Sequence, residues 1–258
     1  MTFTTSHLPA YLQNALSSDP ARPRLTYYDD VSTERVELSA QTLANWVIKT
    51  MNLLVEDVGV EAEARVSLHL PAHWLTAVWL IAADGVGAHV DVAAPNDGMV
   101  ELPGRDDLQD FVVVDTGLSL EVFAVSLAPM AMPLGAALPA NSRDFCAEVR
   151  TMPDQLTSLP EVTGTLNEAA VTRAAQLDLR PGDRVAIISG AALATLSELV
   201  EGLLAPLTVD GSAVWTRNPD PTSCVSRWES ELVTAVAGPV PVGVAVPPEI
   251  RHLGLSTG

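Results

Sequence analysis

At 258 residues, with 48% apolar and 18% charged side chains, the chain has the composition of a folded globular protein, large enough for one large or two modest domains. Acidic residues number 32 against 14 basic ones, and the resulting net charge of −18 argues against nucleic acid and anionic membranes as partners. No apolar run approaches the roughly 20 residues of a bilayer span. The opening MTFTTSHLPAYLQ has neither a basic start nor a long apolar segment, so the expected location is the cytoplasm.

Leu8 to Leu16 predicts a short helix, punctuated by Asp19-Pro20 and Pro23. Arg24 to Tyr28 and Arg35 to Leu38 read as strands around Asp29-Asp30 and Ser32-Thr33, a β-hairpin. Ser39 is a suitable N-cap for a helix whose Leu43, Trp46, Val47, Met51, Leu54 and Val55 recur at helical spacing, with Gly59 as its stop. Arg65 to Val92 is the stretch with the clearest plan. Val66, Leu68 and Leu70 alternate as a strand that Pro71 ends; Trp74 to Ala83 is a buried helix; Gly85 and Gly87 turn the chain into a second strand from Ala88 to Val92. A crossover of this length implies parallel strands.

Beyond a turn-rich stretch from Asn96 to Asp107, Phe111 to Asp115 is another buried strand, with Leu120 to Leu127 as its neighbour. Ala128 to Asn141, small, apolar and rich in proline, suits a linker or covering loop. Arg143 to Arg150 and Leu166 to Leu177 predict helices. Leu177 to Arg217 then repeats the earlier plan: strand Arg184 to Ile188, a Ser189-Gly190 turn, an apolar helix, Gly211, and strand Ala213 to Thr216. A helix over Ser223 to Val236 and a terminal strand and coil from Gly238 complete the chain. The expected organisation is a first α/β subdomain over 1–127, a linker over 128–142 and a second α/β subdomain over 143–258.

The order of these pieces resembles the N-terminal region of the AMP-binding, adenylate-forming superfamily, to which acyl-CoA synthetases and adenylation domains belong. The resemblance rests on Leu25-Thr26-Tyr27, Leu38-Ser39-Ala40-Gln41-Thr42-Leu43-Ala44, Gly59-Val60, Arg65 to Pro71 and Gly87-Ala88. It continues through Pro181-Gly182-Asp183-Arg184-Val185, Leu203-Leu204-Ala205-Pro206-Leu207 and Gly211-Ser212-Ala213-Val214. It implies an α/β fold of two related, doubly wound subdomains with mainly parallel sheets. In that family a Ser/Thr/Gly-rich loop ending in lysine holds the ATP phosphates between the subdomains. Thr157-Ser158 and Thr163-Gly164-Thr165 lie in the corresponding neighbourhood without the glycines and the lysine. The family's later aromatic-Gly-x-Thr-Glu segment, ribose-binding Asp and C-terminal lid with its lysine have no counterpart, so the expectation is a truncated homologue. Lys49, the single lysine, falls on the polar face of a predicted helix.

Other constellations point to no chemistry. His69, His73, His89 and Asp91 are metal-binding types, but Pro71 breaks the helix that would aim His69 and His73 at one ion, and we assign no metal. Cys146 and Cys224, far apart and without Cys/His spacing, are read as reduced structural thiols. There is no GxSxG motif, and the Asp29-Asp30 and Asp106-Asp107 pairs adjoin turns, where solvated carboxylates are ordinary. Ser189 and Gly190 open a helix at the end of a strand, where ligand sites of parallel sheets gather. We take Ser189, Gly190, His69 and His73 as candidate ligand-binding residues and name no catalytic residue. The first reading is a non-catalytic homologue, a pseudoenzyme without cofactor, that binds a small acyl or nucleotide-like molecule or a protein partner, including a second copy. The alternative is an AMP-forming acid-CoA ligase using ATP or AMP and coenzyme A, alone or completed by another chain.

Overall fold

A computed structural model describes residues 7–61, 64–92, 108–135, 138–139, 141–157, 165–189 and 194–253. The chain divides into two compact units that interleave in sequence. One comprises residues 1–9, 44–71 and 75–165; the other comprises 10–43, 72–74 and 166–258. The chain passes from one unit to the other inside helix α2 (Ala40–Asn52), which continues as a π-helical turn from Leu53 to Val58 and ends on Gly59 in the left-handed conformation.

The unit holding residues 44–71 is built on a five-stranded mixed sheet in the order β4-β3-β5-β6-β7. Its strands are β3 (Arg65–His69), β4 (His89–Val92), β5 (Phe111–Asp115), β6 (Leu120–Ala124) and β7 (Ser142–Asp144). The crossover predicted for Arg65 to Val92 forms: β3 and β4 are parallel and joined by α3 (Trp74–Gly85). Phe111 to Asp115 and its expected neighbour pair as an antiparallel hairpin, while β6 and β7 run parallel. Helix α3 is apolar all round because it is buried all round: Leu75, Val78, Trp79, Leu80 and Ile81 are inaccessible to solvent. Trp79 packs its ring on Phe123 and on Phe145 of α4 (Phe145–Glu148), at centroid distances of 5.5 and 4.6 Å. Ala128 to Asn141 carries a short 3₁₀ turn at Pro129–Ala131, and Met130, Met132 and Leu134 on it are exposed.

The other unit carries a six-stranded sheet in the order β11-β10-β8-β9-β1-β2. Its strands are β1 (Pro23–Asp29), β2 (Glu34–Ser39), β8 (Arg184–Ser189), β9 (Ser212–Arg217), β10 (Ala235–Ala237) and β11 (Arg251–Leu253). Every pairing is parallel except the predicted hairpin of β1 with β2. One face buries Ala186, Ile188 and Val214 against Cys224 and Trp228 of α5 (Cys224–Ser230), with Val233 and Val236. The opposite face, carrying Ile187 and Trp215, is covered by the π-helical turn Val200–Leu204. A Cβ on Gly202 would stand 2.0 Å from Ile187 Cδ1, and the Trp215 indole donates to the Gly202 carbonyl at 2.9 Å. Glycine is required there by the close approach of turn to sheet. Helix α1 (Ala10–Ser18) belongs to this unit and is tied to the sheet by Arg24, which is fully buried and donates to the Ala15, Asp210 and Gly211 carbonyls.

One predicted element is corrected. The helix expected over Ser223 to Val236 ends at Ser230, and Ala235–Ala237 is strand β10. Leu232 adopts φ 54°, the Val233 amide closes back on the Trp228 carbonyl, and the Thr234 amide joins the ladder by donating to the Arg184 carbonyl. The apolar spacing of Val233 and Val236 fits either structure, and the pull of the neighbouring strand decides. Among the described residues, no helix is long and apolar enough to cross a membrane.

Candidate functional site

The carboxyl ends of the parallel strands β8, β9 and β1 fall at one edge of the six-stranded sheet, the place where open α/β sheets hold ligands. Register puts one residue of each strand into a single row: Ser189 opposite Arg217, Arg217 opposite Asp29, and Asp29 opposite Glu34 at the start of β2. In-register neighbours point to the same face, so these four side chains share one side of the sheet over a width of about 14 Å. Tyr27 and Trp215 lie one step back on the same face.

The row is charged and largely enclosed. Asp29 is 8% exposed. It accepts from Asn218 Nδ2 and from the Val31 amide, both at 3.0 Å. Burial works to raise its carboxyl, but the hydrogen bonds from Asn218, Val31 and Ser32 outweigh this and leave it below the usual aspartate value. The Glu34 side chain is 6% exposed. Tyr27, 1% exposed, has its phenol raised by burial and by the Asp29 charge, with the Arg217 guanidinium beside it pulling the other way. Tyr27 Oη, Glu34 Oε1 and Arg217 Nε are each buried, and the Arg217 guanidinium interacts with the Tyr27 hydroxyl.

On the opposite face of the same edge, Arg227 is taken up by Asp30 through contacts of 2.5 and 3.2 Å and lies 4.3 Å from the centroid of the Tyr28 ring. The Asp29-Asp30 pair, expected to be solvated, is therefore divided between a buried acid and an ion-paired one.

Two of the candidate residues reach this place. Ser189 ends β8 in the row, its carbonyl accepting from the Asn218 amide at 3.2 Å. His73 is fully buried with its ring edge-on to Tyr27 at 4.6 Å and its Nε2 3.9 Å from Glu34 Oε2. Burial holds its imidazole below the usual value, against the pull of Glu34. His69 belongs to the other unit, where it stacks on Phe111 at 4.3 Å. Gly190 lies outside the described residues, as do Ser158, Thr163, Gly164, Asp106 and Asp107. Thr157 donates through both its amide and its hydroxyl to Asn52 Oδ1. Lys49 donates its ammonium to the Met152 carbonyl. Both cysteines are free and buried, and burial pushes the Cys146 thiol up to about 11. Among the described residues, no three His, Cys, Asp or Glu side chains converge on a metal position.

Tyr27, Glu34 and Arg217 were not singled out by sequence. The available signal was weak: an arginine closing the otherwise apolar run Ala213-Val214-Trp215-Thr216.

No protein-family model matches the chain. Over 248 residues, 92% of this chain and the whole of the relative, it is 38% identical to a TIGR03089 family protein of Mycobacterium tuberculosis. Among solved structures it is similar to the acyl-CoA synthetase of Brucella canis (TM-score 0.61, 16% identity, 88% of this chain). The acetoacetyl-CoA synthetase of Streptomyces lividans is comparably similar (TM-score 0.62, 17% identity, 88% of this chain). The chain spans 47% and 41% of the length of those two synthetases. The N-terminal domain of FACL13 from Mycobacterium tuberculosis matches 98% of this chain with 70% of its own (TM-score 0.63, 13% identity). The fold is therefore that of the N-terminal part of acyl-CoA synthetases.

Proposed function

The chain belongs to the TIGR03089 family, and from that premise we propose that it is a non-catalytic bearer of the acyl-CoA synthetase fold that binds a small molecule at the carboxyl edge of its six-stranded sheet. The observation carrying this reading is the charge of the row. Two carboxylates, Asp29 and Glu34, follow one guanidinium, Arg217, along the row, and that balance opposes a triphosphate rather than holding one. The single lysine supports it, since its ammonium is committed to the Met152 carbonyl. Fold likeness alone does not confer ligase chemistry.

Thermal unfolding with ATP and Mg²⁺, AMP, coenzyme A and a fatty acyl-CoA, paired with a pyrophosphate-release assay over a panel of carboxylic acids, tests the proposal. The expected result is no pyrophosphate above the enzyme-free rate and a rise of a few degrees with at least one compound other than ATP, as for a ligand at about a hundredfold excess over its Kd. Pyrophosphate release dependent on an acid would establish the ligase. A chain that responds to none of the compounds would overturn small-molecule binding and turn the search to protein partners.

A further inference from the structure

We propose that strand β2 is a self-association edge: two copies of this chain pair through it, antiparallel about a two-fold axis at Val36, with Arg35 of each opposite Glu37 of the other. Of the strands that end a sheet among the described residues, β2 is the longest, with six residues against four in β4 and three each in β7 and β11. The alternation of the backbone shows what this edge offers. The Asp30 amide donates to the Arg217 carbonyl of β9 at 3.3 Å, so Asp29 and Tyr27 turn their own N–H and C=O groups the other way, to Glu34 and Val36 of β2. Arg35 and Glu37, which alternate with Glu34 and Val36, therefore direct their backbone groups away from β1 and outward.

Proteins guard such edges with lysine, proline or a bulge; β2 has no lysine or proline, and the one irregularity in its pairing falls at Pro23, opposite its last residue. The two charges it carries outward are of opposite sign, and their side chains are 46% and 38% exposed. Charge then selects the partner and the register. Centring the pair on Val36 sets Arg35 against the partner's Glu37 and Glu37 against the partner's Arg35, on one face of the joined sheet. The nearest slips that keep the outward groups bonded, two residues either way, set Arg35 against the partner's Arg35 or Glu37 against the partner's Glu37. The Tyr28 hydroxyl at 2.9 Å and Glu231 Oε1 at 3.0 Å hold the Arg35 guanidinium in place beforehand, so little freedom is lost on pairing.

Sedimentation velocity of the full chain at rising concentration reads the assembly. The salt is set at about 0.15 M, where repulsion between two copies of charge −18 is screened beyond about 8 Å. A reversible monomer–dimer equilibrium is expected. Glu37→Pro removes an outward N–H and leaves the ladder to β1 intact, so it is expected to weaken dimerisation at least about tenfold with an unchanged circular dichroism spectrum. Arg35→Glu and Glu37→Arg each set like charges across the axis and are expected to be monomeric alone. An equimolar mixture of the two is expected to dimerise again, because every cross-strand pair is then opposite in sign. A chain that stays monomeric, a dimer indifferent to Glu37→Pro, or a mixture of the folded charge variants that does not associate would each overturn the assignment. Should Arg35→Glu fail to fold for want of its Tyr28 and Glu231 contacts, Glu37→Pro still decides the question.

Discussion

Arg24 Nη2 lies 2.7 Å from Asp210 Oδ1, joining a completely buried guanidinium to a carboxylate that is 42% exposed. That asymmetry decides what its removal costs. In Arg24→Met the Asp210 carboxylate can rehydrate, so the penalty is set by the stranded Ala15, Asp210 and Gly211 carbonyls rather than by an abandoned buried charge. We expect a loss of about 1–3 kcal/mol, read from the urea midpoint at unchanged slope. A loss above about 5 kcal/mol would show that Asp210 does not regain water.

Glycine substitutions separate close approach from backbone conformation. A Cβ at Gly211 would stand 2.3 Å from the Asp183 carbonyl oxygen and 2.7 Å from that of Pro206, both main-chain atoms with nowhere to yield. Gly211→Ala is expected to cost about 3 kcal/mol or to prevent folding. Gly59→Ala meets nothing within 4 Å and pays only for φ +75°, about 1–2 kcal/mol. Equal midpoints for the two variants would contradict this ranking.

Trp79 anchors the core of the five-stranded unit between Phe123 and Phe145 and is wholly buried. Trp79→Ala should remove about 3–5 kcal/mol, with loss of near-ultraviolet circular dichroism preceding loss of secondary structure if the surrounding rings collapse incompletely.

Acid should weaken the fold in two stages whose signs follow from the groups involved. The His73 imidazole is held low in the fold, so below its ordinary value of 6.5 the unfolded chain takes up a proton that the native one refuses. Stability therefore falls as pH drops through that region, by at most about 1.4 kcal/mol per pH unit for one group. Asp29, Asp183 and Glu231 are held below their ordinary values of 3.8, 3.8 and 4.5 by hydrogen bonds that overcome the effect of burial. Their contribution is complete above those values and disappears as pH falls past them. Melting temperature measured from pH 8 to pH 3 should decline in both regions, and His73→Asn should flatten the first without altering the second.

Local patterns in the sequence carry the strands and helices that punctuation defines. Pro71, Gly87 and Gly59 mark ends that the structure keeps, and the Asp29 to Thr33 turn closes a real hairpin. The end of α5 was illegible because nothing in the letters announces a leucine at φ 54°. The row at the sheet edge was illegible for a different reason. Residues 29, 34, 189 and 217 become neighbours only through register, and register is a property of four strands together. Ser189 could be named from its own strand end; Arg217 and Glu34 acquire meaning only beside Asp29.

The pairing of β1 with β9 sets Leu25 against Ala213, near opposite ends of the chain. During synthesis the first hairpin emerges long before its partner strand exists, and Tyr27 and Leu25 wait without cover. Closing so long a loop before any contact rewards it makes a slow, late step in assembly, and places the interval of greatest aggregation risk between the birth of Asp29 and that of Arg217.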